Sequence, residues 1–483
     1  MFLPLPTKEQ TCIVHNIPEI ILSKSKVKII SLPGTGKTSL LKEIIYSQPQ
    51  NKFLYLTFSN KAADEAKDDV PSNCDVFTLH SFCLKFIRKR GRLISSYSVR
   101  YIQNHLNISF ERAIHVKSLL DTYLKSSHIH LVDCVKNEND KTIEYARVFL
   151  ADVWKRKAFV SFDYILKEFM LHYAHRDFPL DYDCILVDEV QDSSPVATQI
   201  YNNIKDVGCL YVGDPNQAIN GYMGARNAID NLNVNKEYFL TVNFRSTEAV
   251  LALANSVLID ILGKKEPIKP SGVPRRDIGG IAIITRTNAE LIHYVEFYDS
   301  FSLRKEPESL FGLPLALCAW KNSELLDNNY RYLSNIKDVK ALEKFSEKTG
   351  DRTLWSAYLL AEREGRTRLL SLKNKALQSH SKNAKIELLN CHASKGLQYR
   401  KIRIGSDFPS LLDMAKKVDG GEESVEVLVE ECRLYFVALT RASEEIIDKT
   451  CNKSLSSQEK AFIKNVIQGK RNEQRYNSRR VCV

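Results

Sequence analysis

The stretch SLPGTGKTSL at 31–40 constrains this chain more than any other. It follows a β-rich run, Lys26 to Ser31 (KVKIIS), and opens a turn and helix over Gly34 to Tyr46. A glycine turn between a strand and a helix is what a phosphate-binding loop needs. Gly34 and Gly36 let backbone N–H groups approach anionic oxygens, with Thr35 between them. Lys37 supplies a point charge for the β/γ-phosphates, and the Thr38 hydroxyl, followed by Ser39, can ligate Mg²⁺. Ser31 stands where the common pattern has its first Gly. Such a loop also commits its surroundings to strand–helix alternation.

That alternation continues with a strand at Phe53 to Phe58 (FLYLTF) and a helix at Asn60 to Lys67 (NKAADEAK), which predicts a parallel sheet. From about 88 to 178 the pattern is helical. Sheet-like runs return at Cys184 to Val187 and Cys209 to Val212, then near Ile281 (IAIIT), at Lys385 to Leu389 and at Lys401 to Ile404. The expected fold class is α/β, with two parallel-sheet domains that each carry a helical insertion. The first domain takes 1–87 and 179–247 around an insertion at 88–178. The second takes 248–294 and 381–468 around a small insertion at 295–380. A basic flexible tail is expected at 469–483.

The 483 residues suit two to four domains. The net charge of +11 favours polyanionic partners, with basic runs at 85–92, 269–276 and 469–480. None of the eleven cysteines forms a C-x-x-C pair. That removes local support for a zinc or redox motif and points to a reducing compartment. No apolar run is long enough to span a membrane, and the first residues lack a secretory pattern. The expectation is an intracellular protein of cytoplasm or nucleus, monomeric, with no membrane partner.

A second chemical segment is ILVDEVQDSSP at 185–195. Asp188 at the end of an apolar strand can hold Mg²⁺, and Glu189 can polarise a water attacking the γ-phosphate. With these two segments in place, the chain resembles the UvrD/Rep-like helicases of superfamily 1. Its remaining motifs follow that family's order. The wording VPSNCDVFTLHSF at 70–82 also resembles the F-box helicase branch, although no F-box is visible.

The resemblance implies two RecA-like domains with ATP bound in the cleft between them, and it implies roles for residues. Gln10 would read adenine. Phe58 and Asn60 in TFSNKAADEAK, and Thr78 and His80 in FTLHSF, would touch single-stranded nucleic acid. In YVGDPNQAINGYMGA, Asp214 would lie near the metal, Gln217 would contact the γ-phosphate or its water, and Tyr222 would stack on a base. Asn220 and Met223 depart from the family's usual aromatic and Arg, which weakens the grip of this loop. Phe244 would stack on adenine and Arg245 would reach the γ-phosphate in LTVNFRST. Arg286 and Asn288, then His392, Lys395 and Gly396, would line the nucleic-acid path. Gln398 replaces a Glu that bonds the ribose, and Arg441 would be a second arginine finger.

The implied function is ATP-dependent, 3′-to-5′ movement on single-stranded DNA and at single-strand/duplex junctions, with RNA left open. Domain closure would complete the site. Two alternatives stay beside it. One is a translocase that strips proteins from single strands without unwinding. The other is a nucleotide-gated binding module.

Overall fold

The computed structural model describes residues 5–87, 91–135, 140–172, 181–219, 228–272, 279–349 and 352–481. The chain forms two compact units. The first comprises Met1–Ser31 and Gly36–Leu240, and the second Leu32–Thr35 and Thr241–Val483. The division falls ahead of the expected 247/248 boundary, and part of the phosphate loop groups with the second unit.

The first unit begins α1 (Lys8–Leu22), β1 (Lys26–Ser31), α2 (Lys37–Ser47), β2 (Phe53–Thr57), α3 (Asn60–Lys67), β3 (Cys74–Thr78) and α4 (Leu79–Phe86). The expected first insertion holds a two-strand ladder, β4 (Leu93–Ile94) with β5 (Val160–Ser161), and helices α5 (Val99–Leu106), α6 (Phe110–Lys125), α7 (Asp140–Trp154) and α8 (Phe162–His172). The unit ends with β6 (Cys184–Val187), α9 (Pro195–Asn203), β7 (Gly208–Gly213) and β8 (Lys236–Leu240).

Six strands form one sheet in the order β3-β2-β6-β7-β1-β8, and every pairing is parallel. The central strands are covered on both faces, which is why they read as continuous apolar runs: β2, β6 and β7 are buried throughout. One face packs Leu40, Leu41 and Ile44 of α2 against Ile29, Leu186 and Val212. The other packs Leu56, Ile185, Val187 and Tyr211 into a core that runs on through Leu120, Phe149 and Ile165 of the insertion. The insertion therefore shares its core with the sheet.

The second unit contains β9 (Val242–Asn243), α10 (Glu248–Asn255), β10 (Lys269–Pro270), β11 (Ile281–Thr285), α11 (Asn288–Val295) and β12 (Ser302–Leu303). The expected second insertion follows as α12 (Pro307–Lys321), α13 (Val339–Thr349) and α14 (Arg352–Ser379), which kinks at Gly365. Then come β13 (Ile386–Asn390), β14 (Tyr399–Ile404), α15 (Leu411–Asp419), α16 (Val425–Leu439), β15 (Ala442–Asp448) and α17 (Ser457–Val481). The sheet order is β12-β13-β11-β14-β15, again all parallel.

The segment expected as a flexible tail continues as helix: the backbone of α17 runs from Ser457 through Val481. After Gly469 the sequence KRNEQRYNSRR offers mostly helix-compatible residues and no proline, so nothing local stops the helix. Among the described residues, no helix is long and apolar enough to cross a membrane.

Candidate active site

Three adjacent strands of the first sheet, β6, β7 and β1, end side by side, β6 two residues short of β7. Ile30 pairs with Gly213, and Val187 pairs with Tyr211. In open parallel sheets, ligand chemistry gathers at the carboxyl ends of strands. Here those ends lead into the phosphate loop after β1, Asp188–Glu189 after β6 and Asp214 after β7.

Ser31 is still a buried residue of β1, paired with Leu240. At that position a side chain fits, which accounts for the missing first glycine. Gly34 and Gly36 have φ of +72° and +77°, a region that favours glycine. A Cβ on Gly34 would also lie 2.4 Å from Asn243 Nδ2. The Thr35 hydroxyl donates to the Leu32 carbonyl at 2.8 Å. Asn243 Nδ2 donates to the Pro33 carbonyl at 2.6 Å, and the Phe244 N–H to the Gly34 carbonyl at 2.9 Å. Gly36 caps α2 without a side-chain hydrogen bond. The first turn of α2 holds Lys37, Thr38 and Ser39, the last two exposed. An uncapped helix start with a lysine in its first turn suits a phosphate.

Lys37 pairs with Glu189 Oε1. Burial would lower the Lys37 pKa, but Glu189, Asp188 and Asp214 outweigh it and raise the value. Glu189 sits in left-handed backbone (φ +53°), uncommon for a residue with a side chain and a mark of local constraint. Asp188 Oδ2 accepts from the Tyr55 hydroxyl at 3.0 Å, and Oδ1 from the Glu189 N–H at 2.8 Å. Burial raises the Asp188 pKa, Lys37 opposes the rise and Glu189 adds to it. Asp214 is fully buried, and burial raises its pKa against the bonds it accepts from Gln217 and Asn216. Its Oδ2 accepts from Gln217 Nε2 at 2.8 Å, and its Oδ1 from the Asn216 N–H at 2.9 Å.

Sequence reasoning missed Tyr55, Gln191 and Asn243. Gln191 is fully buried. It donates through Nε2 to Glu189 Oε2 and accepts through Oε1 from the Asp214 N–H at 3.1 Å. Only its place two residues past the acidic pair in DEVQD could have flagged it. Gln10 is buried and forms a capping box: its Oε1 accepts from the Thr7 N–H at 2.9 Å, and Thr7 Oγ1 accepts from the Gln10 N–H at 3.2 Å.

In the second unit, Asn243 Oδ1 accepts from the N–H groups of Arg245 (2.8 Å) and Ser246 (2.7 Å). Arg245 Nη1 donates to the Thr440 carbonyl at 3.1 Å, and Ser246 Oγ to the Ala442 carbonyl at 2.8 Å. Phe244 is half-buried. Arg441 is only 2% exposed, and its guanidinium donates to the Val437 and Leu397 carbonyls and the Thr440 hydroxyl.

Phe58 is 49% exposed where β2 runs into α3, beside the exposed Asn60. Thr78 caps α4 and accepts from the Ser81 N–H. His80 packs edge-on against Phe162, and burial lowers its pKa. Asn288 Oδ1 accepts from Asn390 Nδ2 at 2.8 Å; His392 and Lys395 are half-buried, and Gln398 and Gly396 exposed. The Arg286 guanidinium is bound bidentately by Glu431, with Nε to Oε2 at 2.8 Å. Asn220, Tyr222 and Met223 lie outside the described residues.

The residues at the first unit's strand ends fit a nucleoside triphosphate with a divalent cation. The loop has no room for a Cβ at Gly34, α2 is uncapped, and Thr38 and Asp188 offer oxygen donors. Among the described residues no cluster of three or more His, Cys, Asp or Glu could hold a metal ion. Fold and site together define a P-loop protein built on two parallel α/β sheets.

Two family models match the chain. One, an AAA domain, covers residues 16–223, and the other, the UvrD-like helicase C-terminal domain, covers 321–453. The chain is 25% identical to F-box DNA helicase 1 of Gallus gallus, over 86% of this chain and 46% of that protein. It is 27% identical to F-box DNA helicase protein 1 of Schizosaccharomyces pombe, over 91% of this chain and 57% of the relative. A probable DNA helicase of Mycoplasma pneumoniae matches at 24% over 86% of this chain and 79% of its own length. The chain thus spans about half the length of the two F-box relatives. The two domain matches and the helicase relatives together support a UvrD-like helicase of superfamily 1.

Proposed function

We propose that the chain hydrolyses ATP to move along single-stranded DNA, 3′ to 5′, and to separate duplex ahead of it. The observation that carries this reading is the joint placement of Lys37, Glu189, Asp188 and Asp214 on three neighbouring strand ends. The N–H groups of Gly34, Thr35 and Gly36 and the start of α2 receive the phosphates. Lys37 exchanges its Glu189 partner for phosphate oxygens, which frees Glu189 to orient and deprotonate the attacking water. Thr38 and Asp188 would hold Mg²⁺, which would neutralise charge on the phosphate oxygens. Gln217 contacts the γ-phosphate or its water, and Gln10 and Phe244 serve the adenine. Arg245 and Arg441 neutralise charge developing on the γ-phosphoryl group, and Gln398 takes the ribose.

Phe58 and Tyr222 stack on bases, with Asn60, Thr78, His80, Asn288, His392 and Lys395 along the strand's path. An exposed aromatic at a strand end is the kind of platform single strands use. The reading is tested with duplexes carrying a 3′ or a 5′ single-stranded tail. Strand separation from the 3′-tailed substrate alone is expected. Displacement of a bound protein from a single strand, with no duplex opened, would replace unwinding by protein stripping.

A further inference from the structure

Glu189 uses its two carboxylate oxygens differently. Oε1 faces Lys37, and Oε2 accepts from the Gln191 amide. The same amide accepts from the Asp214 N–H at 3.1 Å, and Asp214 in turn accepts from Gln217 and Asn216. The orientation of the Gln191 amide is fixed by chemistry: a backbone N–H can only face its oxygen, and the carboxylates of Glu189 and Asp192 can only face its nitrogen. The strand beside it is shaped for this side chain. A Cβ at Gly213 would lie 2.2 Å from Gln191 Oε1, so only glycine leaves room for the amide.

We infer that Gln191 is a positioning residue for hydrolysis. It tethers the Glu189 carboxylate to the segment carrying Asp214 and Gln217. The base and the γ-phosphate-contacting glutamine are thereby held as one unit, which persists when Lys37 turns to phosphate. The inference rests on the hydrolytic role proposed above for Glu189. A base released from this tether is misplaced, and misplacement of about 1 Å costs on the order of 10²-fold in rate.

The test is a double-mutant cycle read by single-turnover ATP hydrolysis in the presence of single-stranded DNA. Gln191→Met keeps the volume and removes both hydrogen bonds. It should lower the rate on the order of 10²-fold, while ATP affinity stays within about threefold. In a Glu189→Gln background the same change should cost less than about twofold, because the group it positions is already gone. A purely structural glutamine would give equal losses in both backgrounds and would shift ATP affinity, which overturns the inference. A wild-type rate for Gln191→Met overturns it as well. If Gln191→Met does not fold, Gly213→Ala, which displaces the amide without removing it, goes through the same cycle under the same criteria. Wild-type protein without hydrolysis would overturn the underlying reading and this inference together; hydrolysis in wild type with additive losses would overturn this inference alone.

Discussion

The two parallel sheets use charge in opposite ways. At the ends of β1 and β6, an acid and a lysine face one another with part of their surface open: the Lys37 side chain is 18% exposed and Glu189 32%. At the end of β11 in the second sheet the cation is tied down: Arg286, 23% exposed, is held by Glu431, 8% exposed. β11 leads directly into Arg286, and Asp407 accepts from the backbone N–H groups of Arg286 and Thr287. One scaffold thus serves two purposes. Pairs that can exchange partners suit a reacting phosphate, whereas fully satisfied pairs fix the shape of a strand end.

If this contrast is right, the same kind of substitution has different consequences in the two sheets. Glu189→Gln should lower ATP hydrolysis on the order of 10³-fold. Glu189→Gln should leave the melting temperature nearly unchanged, because its partially exposed pair contributes little to folding. Glu431→Ala should do the reverse. It leaves the partly exposed Arg286 guanidinium without its carboxylate partner and should cost about 1–3 kcal/mol in denaturant unfolding. A melting temperature unaffected by Glu431→Ala would erase the contrast. Phe58→Ala should weaken single-stranded DNA binding by about 1–3 kcal/mol in a fluorescence titration, without loss of stability.

The smallest effect is a pH dependence. Lys167 lies in the first unit but follows the second sheet's pattern, donating to the Ser126 and His128 carbonyls. Burial lowers its pKa from 10.5 to about 8. Between these values the unfolded chain holds a proton that the folded chain has lost, so this group's contribution to stability rises with pH over that window. The stability of wild type relative to Lys167→Met should therefore increase from pH 8 to pH 10, by at most about 1.4 kcal/mol per pH unit. An unchanged difference would mean that Lys167 keeps its ordinary affinity for the proton.

Much of this arrangement was legible in the sequence because it is local. The buried strands β1, β2, β6 and β7 announce themselves as apolar runs, and the phosphate loop and acidic pair sit directly after two of them. The edge strands β3, β8 and β15 were not legible, because a strand with one paired side and mixed burial carries polar residues such as those of ASEEIID. The capping box of Thr7 and Gln10 was visible as Thr-x-x-Gln before an apolar helix, yet Gln10 was read only for adenine. Arg286 and Glu431 are far apart in sequence, and nothing local pairs them. Gln191 sat inside a recognised motif, but its role depends on Gly213, the last residue of the next strand in the chain.

The most direct measurement is steady-state ATP hydrolysis by the wild-type chain and by Lys37→Ala, each with and without single-stranded DNA. The account predicts strong stimulation by DNA in the wild type and loss of hydrolysis in the variant. Hydrolysis that is absent, or indifferent to DNA, in well-folded wild-type protein would contradict it.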